Sequence, residues 1–126
     1  MAEAAEVIRA SHLAGIRTEL FIIVGLPGEN DAEFEKTKDF IHAHHDYIDV
    51  VKSVNTLHLV HGTELFDNAG EFGLFLPDTD WYYLWKEESG TNDYEQRKRR
   101  ARELIDIIAS YDIPLLEHNL FEGTMV

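Results

Sequence analysis

None of the 126 positions is a cysteine. That removes disulfides, thiol nucleophiles, thiolate-ligated zinc and thiolate-ligated iron–sulfur clusters from what the chain can build by itself. Basic residues are scarce as well: 11 Lys and Arg stand against 24 Asp and Glu, for a formal net charge of −13. So acidic a surface repels phosphate backbones, and nucleic acid is not an expected partner. No apolar run approaches the roughly 20 residues that cross a bilayer. The opening Met1-Ala2-Glu3-Ala4-Ala5-Glu6 lacks the basic start of a secretory leader. A cytoplasmic chain is the expectation. An apolar content of 44% is enough for a packed core.

The apolar pattern alternates between helix and strand. Residues 3–14 read as a helix with Ala4, Ile8 and Ser11/His12 on one face and Gly15 placed to end it. Thr18 to Val24 holds the run Leu20-Phe21-Ile22-Ile23-Val24, which suits a parallel strand. Gly25-Leu26-Pro27-Gly28 then turns the chain. Asn30 is placed to cap a helix reaching about His44, with Glu33 at capping-box spacing and Phe34, Thr37 and Ile41 facing inward. A second strand is predicted over Ile48–Leu59, interrupted by the polar Lys52, Ser53 and Asn55. Residues 64–90 are irregular, with an aromatic group at Trp81, Tyr82, Tyr83 and Trp85. A long helix from about Asp93 to Ser110 and a short strand over Asp112–Glu117 complete the order. This is α/β logic, with two or three parallel strands and three or more helices. So few parallel strands leave edges unpaired and apolar faces uncovered, so the chain reads as part of a larger sheet.

Two segments carry a family resemblance. Ala14-Gly15-Ile16-Arg17-Thr18-Glu19-Leu20-Phe21-Ile22-Ile23-Val24-Gly25-Leu26-Pro27-Gly28-Glu29 resembles the fifth strand and turn of radical S-adenosylmethionine (SAM) enzymes, closest to the branch often fused to a cobalamin-binding domain. Asn55-Thr56-Leu57-His58-Leu59-Val60-His61-Gly62-Thr63-Glu64-Leu65 is similar to the next strand and turn of that family, with Val60 and His61 where its members often carry proline. The resemblance spans nearly the whole chain. It implies a partial (β/α) barrel, with residues 1–64 forming βα units and 65–126 an irregular segment plus the C-terminal helix, all one fragment. It implies that Ile23, Val24, Gly25 and Gly28 contact the adenine side of SAM, and that Asn55, Leu57 and His58 lie near the same pocket. For Ile23 a plain core role is compatible with this, and Gly25 also serves as a turn residue. The intact family enzymes cleave SAM with a [4Fe–4S] cluster on a CxxxCxxC motif, and some also use cobalamin. Without that motif this chain is expected to be silent alone, and no catalytic residue is assigned. Its expected partner is the missing N-terminal part of the barrel or a self-associating copy. The other reading is a non-catalytic interaction module, or a split-barrel half that completes a sheet with another chain.

Other groupings point to bland roles. His58-x-x-His61-x-x-Glu64 has a ligand set that zinc accepts, but it lies on a strand and turn where the spacing does not align the side chains. No metal is expected. His42, His44 and His45 suit a helix C-terminus, where the dipole favours them. The run Arg97-Lys98-Arg99-Arg100-Ala101-Arg102 reads as a solvated helix face, with Arg99–Glu103 and Arg102–Asp106 pairs. Trp81, Tyr82, Tyr83 and Trp85 read as core of the irregular segment, or as a seam with a missing neighbour.

Overall fold

The Ala-rich first helix, α1 (Ala2–Leu13), buries Ile8 and stops where a left-handed residue becomes necessary. Gly15 takes φ 78°, its N–H donates to His12 O at 3.0 Å, and the Ile16 N–H reaches back to Ser11 O at 2.9 Å. These two bonds form a Schellman cap. The computed structural model describes residues 2–77 and 82–120, so the reading made for Trp81 lies outside the described residues. Strand β1 (Glu19–Val24) follows, then α2 (Asp31–His44), whose Asn30 side chain accepts from the Glu33 N–H at 2.9 Å. Strand β2 (Val50–Thr56) is shorter at both ends than the sequence pattern suggests.

The described residues of the 64–90 segment hold more order than expected. A one-turn helix, α3 (Glu64–Asp67), leads through a 3-10 turn at Ala69–Phe72 into an antiparallel pair, β3 (Leu74–Phe75) with β4 (Lys86–Glu87). Helix α4 (Tyr94–Ser110) is capped by Asp93, which accepts from the Gln96 N–H at 2.9 Å, and β5 (Leu115–His118) is the last described element.

The fold is mixed α/β, with four helices and a parallel three-stranded sheet in the order β1-β2-β5 among the described residues. Leu20 pairs with Val51 but Phe21 with Ser53, so Lys52 is an extra residue that bulges β2. One sheet face supplies Val24, Val51 and Val54 to a core closed by Ile8 of α1, Phe34 and Ile41 of α2, and Leu104 and Ile108 of α4. All three long helices therefore lie on one side. The other face is bare: alternation turns Phe21, Ile23 and Leu116 outward, at 70%, 51% and 56% exposure. No described strand pairs with the outer edge of β1 or of β5. No described helix is long and apolar enough to cross a membrane. A second, smaller core of Leu59, Ala69, Leu74 and Trp85 sits beneath the irregular segment.

Replacing Asn30 with Ala removes the cap of α2 and is expected to lower stability by about 0.5–2 kcal/mol. Urea denaturation of the two proteins checks this; equal midpoints would show that Asn30 does not secure the helix.

Candidate functional site at the carboxyl ends of the strands

In parallel α/β sheets, ligands bind beyond the carboxyl ends of the strands. Here those ends are Gly25, Leu57 and Asn119, and the segment Tyr83–Asn92 is tied to the first two. What holds that strap is Arg97, from the first turns of α4. Its side chain is fully buried. Nη2 donates to Tyr83 O at 2.8 Å and Trp85 O at 2.7 Å, and Nη1 donates to Asn92 O. The guanidinium lies 3.9 Å from the Trp85 ring centroid, a cation–π contact. Burial pushes the guanidinium pKa down to about 10, against the pull of Asp93, Tyr94 and Glu87, so it stays charged at neutral pH.

Three further side chains fasten the strap. Trp85 Nε1 donates to Leu57 O at 2.8 Å, and Asn92 Nδ2 donates to both Gly25 O and Leu26 O at 3.2 Å. Asn92 holds φ 56°, a left-handed conformation that Asn accepts more readily than most residues. The Gly28 N–H is bound by Glu87 Oε1 at 3.1 Å.

This geometry gives the turn glycine a specific reason. Gly25 has φ 87°, and a Cβ built on it would fall into the Arg97 side chain, against Cγ and Cδ. The close approach that a glycine permits is used here by the protein's own arginine. The Gly25 N–H is also engaged, donating to Glu29 Oε1 at 3.2 Å. Glu29 is held near Arg100, with 3.5 Å from Nη1 to Oε1, while Arg100 Nη2 reaches Asp31 at 3.0 Å. Burial raises the Glu29 pKa, with the Gly25 N–H and Arg100 pulling the other way.

The predicted residues thus divide into four groups, His58 standing by itself. Val24 is buried on the helix side, and its carbonyl accepts from the Leu57 N–H at 3.1 Å. Gly25 and Gly28 belong to the strap's anchorage. Ile23 and Asn55 are cross-strand neighbours on the bare face, Ile23 exposed and Asn55 half-buried with Nδ2 donating to Ser53 Oγ at 3.4 Å. Ile23 and Gly28 also line an open cleft of about 470 Å³ beside the start of α2, together with Leu26, Pro27, Asn30 and Glu33.

His58 is half-buried at the end of β2. Asn119 bonds the adjoining strand end through both amide atoms: Oδ1 accepts from the Thr56 N–H at 2.8 Å, and Nδ2 donates to Thr56 O at 2.9 Å. The same Nδ2 lies 3.2 Å from His58 Nε2, a contact in which the amide donates and the neutral form of the ring accepts. Burial, then the nearby Arg97 charge, lowers the His58 pKa. Chemically the site offers an apolar side chain, an amide and a neutral imidazole. These can bind and orient a ligand.

Arg97 and Arg100 correct the reading of the basic run as a solvated face. Both are buried, because Arg97 continues the inward stripe of Ala101, Leu104 and Ile108 one turn toward the N-terminus. That periodicity was the available signal. Glu103 takes Lys38 of α2 at 2.7 Å, an interhelix bridge in place of the expected local pair with Arg99. The zinc-type set does not assemble: among the described residues no three His, Cys, Asp or Glu side chains converge as ligands. No family model, curated protein or solved structure matches this chain.

Gly25→Ala is expected to cost roughly 2–5 kcal/mol, from overpacking against Arg97 plus left-handed strain. Gly15→Ala, with open space around its Cβ position, should cost only about 1–2 kcal/mol from its φ. Equal losses in thermal melts would contradict the clash. His58 gives a pH test. A base whose folded pKa is lowered binds protons better when unfolded, so stability falls as pH drops through its ordinary value of 6.5 and levels off below the folded value. Denaturation midpoints of His58→Gln should fall less over that window than those of the parent. Parallel pH curves would show that His58 carries no such linkage.

Proposed function

We propose that this chain is the C-terminal sector of a radical SAM (β/α) barrel, the part that forms one wall of the SAM pocket. The observation that carries the reading is the winding of the sheet. The chain steps from β1 to β2 to β5 in one direction, and the intervening helices α2 and α4 share a face. Right-handed crossovers that keep moving one way put every helix on the same side. An open sheet wound in two directions from its middle carries helices on both faces instead. One-way winding leaves an inner face bare, and in a barrel that face becomes the interior.

The residues of this chain support a ligand wall more readily than a catalytic centre. Ile23 and Asn55 supply an apolar contact and an amide side by side, with His58 at the rim. Gly25 and Gly28 act through the shape of the turn, since their N–H groups are already bonded. The cluster does not fit this chain, which has no thiolate to offer it. Its ligands, and any cobalamin, belong to the rest of the intact enzyme. The chain's own contribution is to seat one side of SAM, hold the strap to the ends of β1 and β2 and keep His58 neutral beside the ligand.

An amide chemical-shift titration with SAM, with S-adenosylhomocysteine and adenosine alongside, tests the reading. Binding on the order of millimolar, with shifts centred on Ile23, Asn55 and His58, is expected of a single wall without its partner. No shifts at such concentrations, or shifts confined to the α1 side of the molecule, would reject SAM recognition by this chain.

A further inference from the structure

We propose that Asn119 is a positioning residue that fixes His58 as its neutral Nδ1–H tautomer, so that the imidazole meets a ligand as a hydrogen-bond donor. Asn119 lies one residue beyond β5 and is followed by Leu120, which is buried in the main core. The register of β2 with β5 ends at Val54 and His118. From there the Asn119 side chain does what a further strand residue would do. Its Oδ1 accepts from the Thr56 N–H at 2.8 Å, and its Nδ2 donates to Thr56 O at 2.9 Å. The Thr56 hydroxyl adds another bond to Oδ1 at 3.2 Å.

These partners settle which way round the amide sits. Turned over, it would set its oxygen against the Thr56 carbonyl and its NH2 against the Thr56 N–H, so the main chain and not the histidine decides the direction. The group 3.2 Å from His58 Nε2 is therefore the amide nitrogen, which only donates. A proton on Nε2, in the other neutral tautomer or in the imidazolium, would bring two N–H groups head to head. Nε2 is left to accept, and the proton of the neutral ring goes to Nδ1. A free histidine side chain prefers the opposite tautomer, so the fold reverses that preference. Two neighbours favour the uncharged ring as well: the Arg97 charge opposes an imidazolium, and Tyr83 meets the imidazole ring to ring, with centroids 5.7 Å apart.

The inference deepens the proposed function, because the ligand group at His58 would then be an acceptor, such as an unprotonated ring nitrogen or a hydroxyl oxygen. It rests on that reading only for the ligand; the tautomer belongs to the ligand-free chain. A failed SAM titration therefore leaves it standing, and a different tautomer leaves SAM recognition standing.

Two-bond proton–nitrogen correlation spectra of the isotope-labelled histidine rings in the full chain test it, the His58 ring being the one lost in His58→Gln. At neutral pH Nε2 should resonate far downfield, as an unprotonated nitrogen, and Nδ1 upfield, as a protonated one. An upfield Nε2, or both nitrogens at averaged positions, would overturn the proposal. Asn119→Ala removes the donor, and the His58 nitrogens should then move to averaged positions. Asn119→Asp offers Nε2 an acceptor instead, so its signal should move to the protonated side and His58 should titrate at higher pH than in the parent. The parent spectrum decides the tautomer even where one variant fails to fold. A folded Asn119→Ala or Asn119→Asp protein that keeps the parent pattern would overturn the positioning role.

Discussion

A buried guanidinium that meets no carboxylate among the described residues organises the site end of this molecule. Arg97 is desolvated on all sides, and a charge so placed must be solvated by the protein instead. Three backbone carbonyls, from Tyr83, Trp85 and Asn92, and the face of Trp85 do this. Those carbonyls converge only when Tyr83–Asn92 folds back over the first turns of α4. Removing the arginine side chain would leave them buried and unbonded, a heavier penalty than the loss of the bonds themselves. The strap's position follows, and with it the ties from Trp85 to Leu57 and from Asn92 to Gly25 and Leu26. The small core around Trp85 is thereby joined to the larger core under the sheet.

That constraint explains why the elements were legible in the sequence and the site less so. Amphipathic spacing located α2 and α4, the β-branched runs located β1 and β2, and Gly15 and Asn30 marked helix ends as their cap geometry requires. These are local decisions. The short β3–β4 pair was hidden because two residues on each strand give no period to detect. Arg97 was hidden differently. Its charge placed it with its solvated neighbours, whereas its position four residues before Ala101 places it on the inward stripe. Charge argued for water and periodicity for the core, and the indole and three carbonyls decided for the core.

Gly25 illustrates how one sequence feature admits two physical causes. A glycine in a strand-to-helix turn permits close approach of something, and the sequence alone does not name it. The neighbour is Arg97, which ties the turn to the strap. The ligand contact proposed for this chain then rests on side chains, with Ile23 and Asn55 adjacent on the bare face and His58 beside Asn119, its pKa lowered by burial. The proposed SAM wall is accordingly a matter of which groups remain available after the strap has used the backbone donors of Gly25 and Gly28. One-way winding leaves Phe21, Ile23 and Leu116 exposed on the face away from the helices.

The most direct test of the account is the unfolding of Arg97→Met, which keeps the stem against Gly25 and removes the charge and its hydrogen bonds. Denaturation would be followed by tryptophan fluorescence, for the environment around Trp85, and by far-ultraviolet circular dichroism, for the helices. In the parent the two transitions should coincide, because the cores are tied into one cooperative unit. In the variant the fluorescence transition should come first, at lower denaturant, with the helices melting later. Coincident transitions in Arg97→Met at the parent's midpoint would contradict the central place given to this buried cation.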